Sequence, residues 1–332
     1  MEKIYYDNDA DLKYLDRKTV GIIGYGIQGR AQALNMRDSK INVLVANRAD
    51  KYKEQAIEDG FKVYEIDDLV KMSDIILFLI PDQAQAEIYE KFVKNNLRSE
   101  NMLVFAHGYA LTYQTIKVPS DIDVAMLAPR MPGRQIRDYF LKGGGVPAFI
   151  DIVQNKTGLA LERLLSLSRA VGFTRAGVLQ VNYKIETELD LFIEQFLVAS
   201  VVKGIHTSFN VLVNELGYPA VPTLMELYAS GELAEVLKLA ANMGIGKVFQ
   251  KNASPTCQYG IATSFDYIMG SEVAEKAKQI IKNIKNGTFA KELDKEGKAG
   301  YPRVRKLWEI VDTQQINEAH TLMDNLFKWR DV

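Results

Sequence analysis

Acidic residues crowd the segment 186–195, whose sequence is ETELDLFIEQ. Asp190 and Glu194 are four residues apart, so in a helix they share one face. Like charges at this spacing repel unless a cation lies between them. Oxygen-only ligands suit Mg²⁺, which keeps some of its waters and accepts substrate oxygens. By itself the pair is more typical of a solvated acidic face than of a metal site, so the neighbouring motifs must decide.

A glycine-rich loop has the composition needed to hold the phosphates of a dinucleotide. The apolar run Thr19–Ile23 leads directly into GYGIQG, and a helix-forming stretch follows. The glycines permit a tight turn and let the backbone approach a pyrophosphate at the helix N-terminus. A second strand follows about 20 residues on, as this motif requires. The cofactor-binding residues predicted here are Gly24, Tyr25, Gly26, Ile27, Gln28 and Gly29.

The segment after the second strand bears on which nicotinamide cofactor binds. Where an acidic residue often grips the ribose hydroxyls, the chain has Asn47 and Arg48. Arg48 could stack on adenine or meet a 2′-phosphate, and Lys51 and Lys53 could assist it. Asp50 would instead repel that phosphate and could bind a free ribose diol. The sequence therefore leaves NADPH and NADH both open.

A β-α-β framework must position these residues, and the first half of the chain has that pattern. Nearly all-apolar runs, typical of parallel strands covered on both faces, alternate with helix-length stretches such as Gly29–Arg37 and Ala84–Asn95. The alternation predicts an α/β Rossmann domain with a doubly wound parallel sheet. The predicted strands are Thr19–Ile23, Ile41–Ala46, Ile75–Ile80, Met102–Phe105, Val124–Ala128 and Ala148–Ile152.

From about Asn182 the β-rich runs stop and helical periodicity takes over. The longest such stretches are Thr187–Asn214, Pro222–Met243 and Ser271–Asn286. We therefore predict two domains: residues 1–181 form the NAD(P)-binding Rossmann domain, and residues 182–332 form an all-α domain.

Composition excludes several kinds of function. The net charge of -1 gives no support for binding nucleic acid or an anionic membrane. No apolar run approaches the roughly 20 residues that span a bilayer, and the N-terminus is too acidic for a signal peptide. Cys257 is the single cysteine, which excludes an intramolecular disulfide framework and a zinc cluster. We expect a cytoplasmic protein.

The order and spacing of several motifs resemble those of ketol-acid reductoisomerases, particularly the short-chain class. The match runs from the first residues to about Tyr259 and includes the glycine loop, Pro81-Asp82, FAHG at 105–108, TRAGV at 174–178 and the acidic segment. This family converts a 2-acetohydroxy acid to a dihydroxy acid in branched-chain amino acid biosynthesis. A Mg²⁺-assisted alkyl shift precedes hydride transfer from NADPH or NADH. The resemblance implies a small-molecule substrate, a homodimer or higher homo-oligomer, and a helical domain like that of 6-phosphogluconate dehydrogenase-like proteins.

The resemblance also implies roles for residues beyond the glycine loop. Asp190 would bridge two metal ions and Glu194 would ligate one of them, because cations polarise the substrate oxygens on which negative charge gathers. Glu226 falls on the first position of a second carboxylate pair, which in the short-chain class reaches across a dimer. The remaining assignments are His107 beside the nicotinamide, Pro81 and Asp82 near the cofactor, and Ser254 on the substrate carboxylate.

The chain departs from the family pattern at several chemical positions. Arg130 follows Ala128-Pro129 where the family has a catalytic lysine, and an arginine keeps the charge but does not usefully release a proton. The second position of the Glu226 pair is Ser230, and extra residues in 227–231 could bring Glu232 into the ligand position, with Glu235 a poorer candidate. The remaining departures are Ile27, Arg30 and Ile193, where the family has serine, histidine and glycine.

Three functional hypotheses follow. The first is a working reductoisomerase whose metal site is completed by Glu232 or Ser230. The second is a relative that has lost the isomerase step and reduces another 2-keto acid or related carbonyl; Arg130, Ile193 and Ser230 motivate it. The third is a non-catalytic dinucleotide-binding protein, which the retained His107, Asp190 and Glu194 disfavour.

Overall fold

The computed structural model describes residues 3–268 and 270–327. The chain divides into two compact units, Met1–Leu189 and Asp190–Val332. The outer limits of the predicted domains, residues 1 and 332, lie outside the described residues, and the internal boundary at 181/182 remains a prediction.

The described part of the first unit contains one sheet of nine strands, in the order β1-β9-β8-β7-β6-β5-β2-β3-β4. The six predicted strands are all present, with ends shifted by at most two residues. The three that the prediction lacks are two or three residues long, too short to produce a recognisable apolar run. The strands are β1 Ile4–Tyr5, β2 Thr19–Ile23, β3 Asn42–Ala46, β4 Val63–Tyr64, β5 Ile75–Phe78, β6 Met102–Phe105, β7 Asp123–Pro129, β8 Ala148–Gln154 and β9 Val178–Gln180.

The sheet confirms the predicted doubly wound Rossmann fold, but it is mixed and not parallel throughout. Strands β4, β3, β2, β5, β6 and β7 are parallel neighbours. Strand β8 runs antiparallel to β7, and Pro129 at the end of β7 pairs with Ala148 at the start of β8. The chain therefore leaves β7 and re-enters β8 at the same edge of the sheet, whereas a parallel pair needs a crossover that returns to the opposite edge.

Apolar cores lie on both faces of the sheet, which explains the all-apolar strands. Alternate residues of a strand point to opposite faces, so Val20 and Ile22 join one cluster and Ile23 joins the other. The helices that accompany the sheet are α1 Ile27–Asp38, α2 Lys51–Glu58, α3 Ile66–Met72, α4 Asp82–Ile88, α5 Tyr109–Thr112, α6 Gly133–Leu141, α7 Ala160–Val171 and α8 Tyr183–Ile193.

The second unit is helical throughout its described residues, as predicted. Three π-helical turns interrupt the regular α-helices, at Glu194–Val198, Asn210–Glu215 and Met225–Ala229. A small core packs around Phe209, Leu224 and Met323. The helices are α9 Ala199–Phe209, α10 Ala220–Leu224, α11 Glu232–Met243, α12 Ile245–Asn252, α13 Pro255–Ile268, α14 Ser271–Lys285, α15 Thr288–Lys298, α16 Pro302–Val311 and α17 Gln314–Leu326.

One helical segment is long and apolar enough to cross a membrane if only length and composition are considered. It runs over Tyr183–Glu215, 33 residues, and its most apolar window is 11% buried. No uninterrupted apolar run in this segment approaches the roughly 20 residues that span a bilayer, because Glu194, Lys203 and His206 divide it. Its exposed apolar side chains include Leu197, Val198 and Val201. These exposed apolar side chains call for a partner surface.

Candidate active site

The glycine loop has the geometry of a phosphate-binding turn. Strand β2 ends at Ile23, and α1 begins at Ile27 with Gly26 as an N-cap that supplies no side-chain hydrogen bond. The first N–H groups of such a helix favour an anion. A Cβ at Gly29 would overlap with the carbonyl of Gly24, so only glycine lets the helix start this close to the strand. The loop therefore fits a dinucleotide pyrophosphate.

Tyr25 contributes to this loop through its backbone. Its amide donates to Asn47 Oδ1 over 2.8 Å, which ties the loop to the end of β3. Its side chain is fully buried, and the hydroxyl donates to Asp59 over 2.8 Å. Burial raises the pKa of the Tyr25 phenol, whereas the hydrogen bond from Arg30 holds the pKa of the Asp59 carboxyl below its ordinary range.

The segment after β3 is organised around Asp50. Its carboxylate caps α2 by accepting from Tyr52 N at 2.9 Å and also accepts from Asn47 Nδ2 at 2.9 Å. Arg48 Nε donates to it over 2.8 Å and is the main cause of a lowered Asp50 pKa. The Arg48 side chain is 88% exposed. Asp50 is thus committed to local structure, while Arg48 remains open to solvent beside the loop.

A cleft of about 540 Å³ opens next to the glycine loop. It lies between α1, α2 and α6, and its walls include Arg30, Lys51, Arg134 and Arg137. Gln28 Nε2 donates to Met131 O over 3.0 Å and so connects the glycine loop to the segment between β7 and α6. Three of these cations are paired with carboxylates, Arg30 with Asp59, Arg134 with Asp138 and Arg137 with Asp38, so the walls carry both signs of charge.

Three neighbouring strands bring a further group of predicted residues together at their carboxyl ends. Asp82 follows β5, His107 follows β6, and Arg130 follows β7; these strands are adjacent in the sheet. His107 Nδ1 lies 3.1 Å from Asp82 Oδ2. This is the edge at which open α/β sheets bind ligands.

Glu186 on α8 joins this group, and the sequence analysis did not assign it a role. Its side chain is fully buried. One carboxylate oxygen accepts from Gly108 N at 2.9 Å and lies 3.8 Å from His107 Nε2. The other accepts from Arg130 Nη2 at 2.8 Å. The available signal was its position four residues before Asp190, which places both on one helical face.

A tyrosine pair borders the histidine. The Tyr109 ring lies 6.0 Å from the His107 ring and 4.7 Å from the Tyr113 ring, measured between centroids. Burial, reinforced by the charge of Glu188, raises the pKa of Tyr113 to about 12. This phenol therefore stays neutral at physiological pH.

The candidate metal ligands Asp190 and Glu194 lie on one continuous helix over Tyr183–Glu215, and Glu226 lies on another. Asp190 lies in the last turn of α8, and Glu194 is the first residue of the π-helical turn that follows α8 directly. Glu226 lies in another π-helical turn, Met225–Ala229. Such turns often occur at functional sites because they redirect a side chain. Carboxylate oxygens one helical turn apart are a suitable donor set for Mg²⁺.

Glu226 and Glu232 do not lie on one continuous helix. The predicted stretch Pro222–Met243 breaks at Ser230 and Gly231, where Gly231 has a φ of +85°, and α11 starts afresh at Glu232. Glu194, Glu226 and Glu232 are exposed. Within residues 190–268 and 270–327, no three candidate ligand atoms lie within 4.8 Å of one another.

Ser254 precedes α13 and is exposed. Its hydroxyl accepts from Cys257 N over 3.2 Å, so it caps this helix. The resemblance predicts that the Ser254 hydroxyl binds a substrate carboxylate, which requires the hydroxyl to be accessible. Because Ser254 is exposed, its hydroxyl meets that requirement.

Comparison with known families identifies the family to which the chain belongs. Residues 14–177 match the family described as acetohydroxy acid isomeroreductase, NADPH-binding domain, and residues 183–329 match the ketol-acid reductoisomerase C-terminal domain. The chain belongs to the ketol-acid reductoisomerase family.

Individual members are similar over nearly the whole chain. The NADP(+) ketol-acid reductoisomerase of Pyrobaculum arsenaticum is 39% identical over 98% of this chain and 99% of its own. That of Sulfurisphaera tokodaii is 41% identical over 91% of this chain and 90% of its own. A solved NADH-preferring ketol-acid reductoisomerase from an uncultured archean is 34% identical, with a TM-score of 0.91 over 98% of this chain and 99% of that one.

Proposed function

We propose that this chain converts 2-acetohydroxy acids such as 2-acetolactate to 2,3-dihydroxy acids, with NADPH or NADH as reductant, in branched-chain amino acid biosynthesis. The observation that carries the proposal is the group Asp82, His107, Glu186 and Arg130, which lies at the carboxyl edge of the sheet beside a dinucleotide loop. Membership of the reductoisomerase family supports the same reaction.

In this proposal the two ends of the cofactor meet different parts of the first unit. The residues 24–29 and Arg48, Lys51 and Lys53 hold the phosphates and adenosine, and His107 lies beside the nicotinamide with Pro81 and Asp82. Asp82 holds the His107 ring through Nδ1, so Nε2 faces Glu186. The Asp50 carboxylate already caps α2. Asp50 therefore affects the adenosine end through the neighbouring Arg48, to which it is hydrogen-bonded.

The metal site is proposed on the helical unit, with Asp190 and Glu194 as ligands and Glu226 and Glu232 as further candidates. Bound Mg²⁺ would polarise the substrate oxygens during the alkyl shift. Ser254 is proposed to hold the substrate carboxylate through its hydroxyl. We assign residues 1–181 to cofactor binding and 182–332 to metal binding and dimerisation.

A second candidate function is reduction without isomerisation. Arg130 stands where the family has a lysine and donates to Glu186, and an arginine cannot take over the proton transfer of a catalytic lysine. The helix also breaks at Gly231, between Glu226 and the candidate Glu232. Both observations concern the alkyl shift and leave the groups around His107 intact.

One assay separates the two functions. NADPH and NADH oxidation would be followed with 2-acetolactate, with and without Mg²⁺, and in parallel with 3-hydroxy-3-methyl-2-oxobutyrate. We expect Mg²⁺-dependent oxidation with acetolactate. Oxidation with the rearranged ketoacid alone would establish reduction without isomerisation. Cofactor binding in a thermal-shift experiment without turnover of either substrate would mean a non-catalytic dinucleotide-binding protein.

We further propose a cytoplasmic homodimer or higher homo-oligomer. Exposed apolar side chains on the helix over Tyr183–Glu215, among them Leu197, Val198 and Val201, support this proposal. A second copy of the chain would cover them.

A further inference from the structure

Contacts with a carboxylate, a carbonyl and an aromatic ring hold the guanidinium of Arg130. Its Nη2 donates to Glu186 over 2.8 Å, and its Nε donates to the carbonyl of Ala128 over 3.3 Å. Its central carbon lies 4.9 Å from the centroid of the Phe149 ring. The Ala128 carbonyl, the Glu186 carboxylate and the Phe149 ring are hereafter the Arg130 socket.

The antiparallel pair β7–β8 builds two sides of this socket. Ala128 pairs directly with Phe149 in the register of the two strands. Directly opposed residues have their Cβ atoms roughly 5 Å apart. The ring of Phe149 therefore lies next to the backbone that carries Arg130. Strand β8 thus contributes Phe149 to the site through its pairing with the end of β7.

A lysine at position 130 could use the socket only in part. An ammonium is a compact point charge, whereas a guanidinium is a planar fork that can donate in two directions and stack on an aromatic face. A lysine that meets Glu186 would have no second fixed donor for the Ala128 carbonyl and would gain little from the flat ring. The Glu186 carboxylate is fully buried. The positive charge that pairs with it must therefore keep good hydrogen-bond geometry to offset the cost of removing both charges from water.

We propose that Phe149 is a positioning residue for Arg130 and that this site is built for arginine, so that lysine at position 130 lowers activity. The proposal rests on the proposed function, in which Arg130 lies in the active site. It states that Arg130 and Phe149 act as a matched pair. Arg130 contributes to the activity of this site, and its replacement by the family's lysine does not raise that activity.

The test is a double-mutant cycle with R130K, F149L and R130K/F149L, assayed with acetolactate and with the rearranged ketoacid. We expect F149L to lower kcat/KM about fivefold through loss of the cation–π contact, mainly in kcat, with the KM for the cofactor unchanged. R130K should lower kcat/KM about tenfold or more. In the R130K background, F149L should cost less than about twofold, because no fork remains to be positioned.

A pH profile adds a readout that a general loss of packing would not move. Lysine has an ordinary pKa of about 10.4, which the Glu186 carboxylate would raise, so kcat of R130K should fall only at strongly alkaline pH, and the wild type should lack that limb. The matched control is F140L, since Phe140 forms the same kind of contact with Arg175, at 4.3 Å, on the far end of α6. F140L should keep kcat/KM within about twofold.

Two outcomes would overturn the proposal: R130K equal to or faster than wild type, or equal F149L costs in both backgrounds. If the wild type turns over neither substrate, the proposed function fails, and the socket is then tested by urea unfolding of the same four proteins. Non-additive unfolding free energies support the matched pair. Additive ones refute it.

Discussion

At the scale of single residues, the carboxylates differ most in how much of their role the sequence reveals. The segment 186–195 contains several acidic residues that look alike in the sequence. Glu186 is fully buried, and Glu194 is exposed. The partners that bury Glu186, Gly108 and Arg130, are 78 and 56 residues away in the chain. The family resemblance predicted His107, Asp82 and Arg130 as site residues, but only tertiary contacts identify Glu186.

Asp50 is the residue at which cofactor preference can be tested. Its carboxylate lies 2.8 Å from the Arg48 guanidinium and opposes a 2′-phosphate bound there. We expect Asp50→Asn to favour NADPH over NADH by about threefold to tenfold in kcat/KM, because one negative charge near the phosphate is removed. Asparagine is as good an N-cap as aspartate, and the lost ion pair with the exposed Arg48 contributes little to stability, so the thermal midpoint should fall only slightly.

The control for this substitution is Asp67→Asn, which removes an exposed carboxylate at the start of α3. It should leave the NADPH to NADH ratio unaltered. An unchanged ratio in Asp50→Asn as well would place the 2′-phosphate away from Arg48.

At the scale of elements, apolar runs predicted the central strands because these are buried on both faces. Strands β2, β5 and β6 match their predicted positions for that reason. The direction of β8 was not predictable, because it depends on the edge of the sheet to which the connection through α6 returns. The break at Gly231 was also missed, because the residues on either side of it continue a helical pattern.

The contact between α6 and the glycine loop couples two elements of the site. Gly133, the first residue of α6, lies so close to α1 that an added methyl would overlap with the carbonyl of Ile27. We expect Gly133→Ala to push the start of α1 out of place, weaken NADPH binding at least fivefold, and destabilise the fold by about 1–3 kcal/mol. Fluorescence titration with NADPH and urea unfolding measure the two effects.

Gly144→Ala is the matched control, because it lies in the same connection between β7 and β8. A methyl there would meet Tyr139 O at 3.5 Å, an ordinary contact. It should bind NADPH like the wild type. Equal NADPH affinity in Gly133→Ala would mean that the loop adjusts without cost and that α6 does not define its geometry.

At the scale of the whole molecule, the helical unit leaves many apolar side chains in solvent. Its core is small, and large residues such as Tyr259, Phe265 and Trp308 are at least half exposed. A sequence pattern identifies such helices as amphipathic, but it does not identify the surface that covers them. Stable protein interfaces bury about 1,200–2,000 Å², so several exposed helices together can supply one.

The homodimer proposal predicts that a charge on the helix over Tyr183–Glu215 separates the subunits. Leu197 and Val201 lie about one turn apart and are 52% and 44% exposed. We expect Leu197→Asp to shift the sedimentation coefficient from dimer or larger toward monomer, because an unpaired carboxylate in an apolar interface is costly. Acetolactate turnover should fall in parallel if the partner contributes Glu226 to the site.

Ile57→Asp on α2 serves as the control, since Ile57 is 57% exposed and lies in the first unit. It should leave sedimentation and turnover unchanged. A wild-type chain that sediments as a monomer and binds phospholipid vesicles would instead assign the apolar helix to a membrane surface. A Leu197→Asp variant that stays dimeric would move the interface to the exposed residues of α13 and α16.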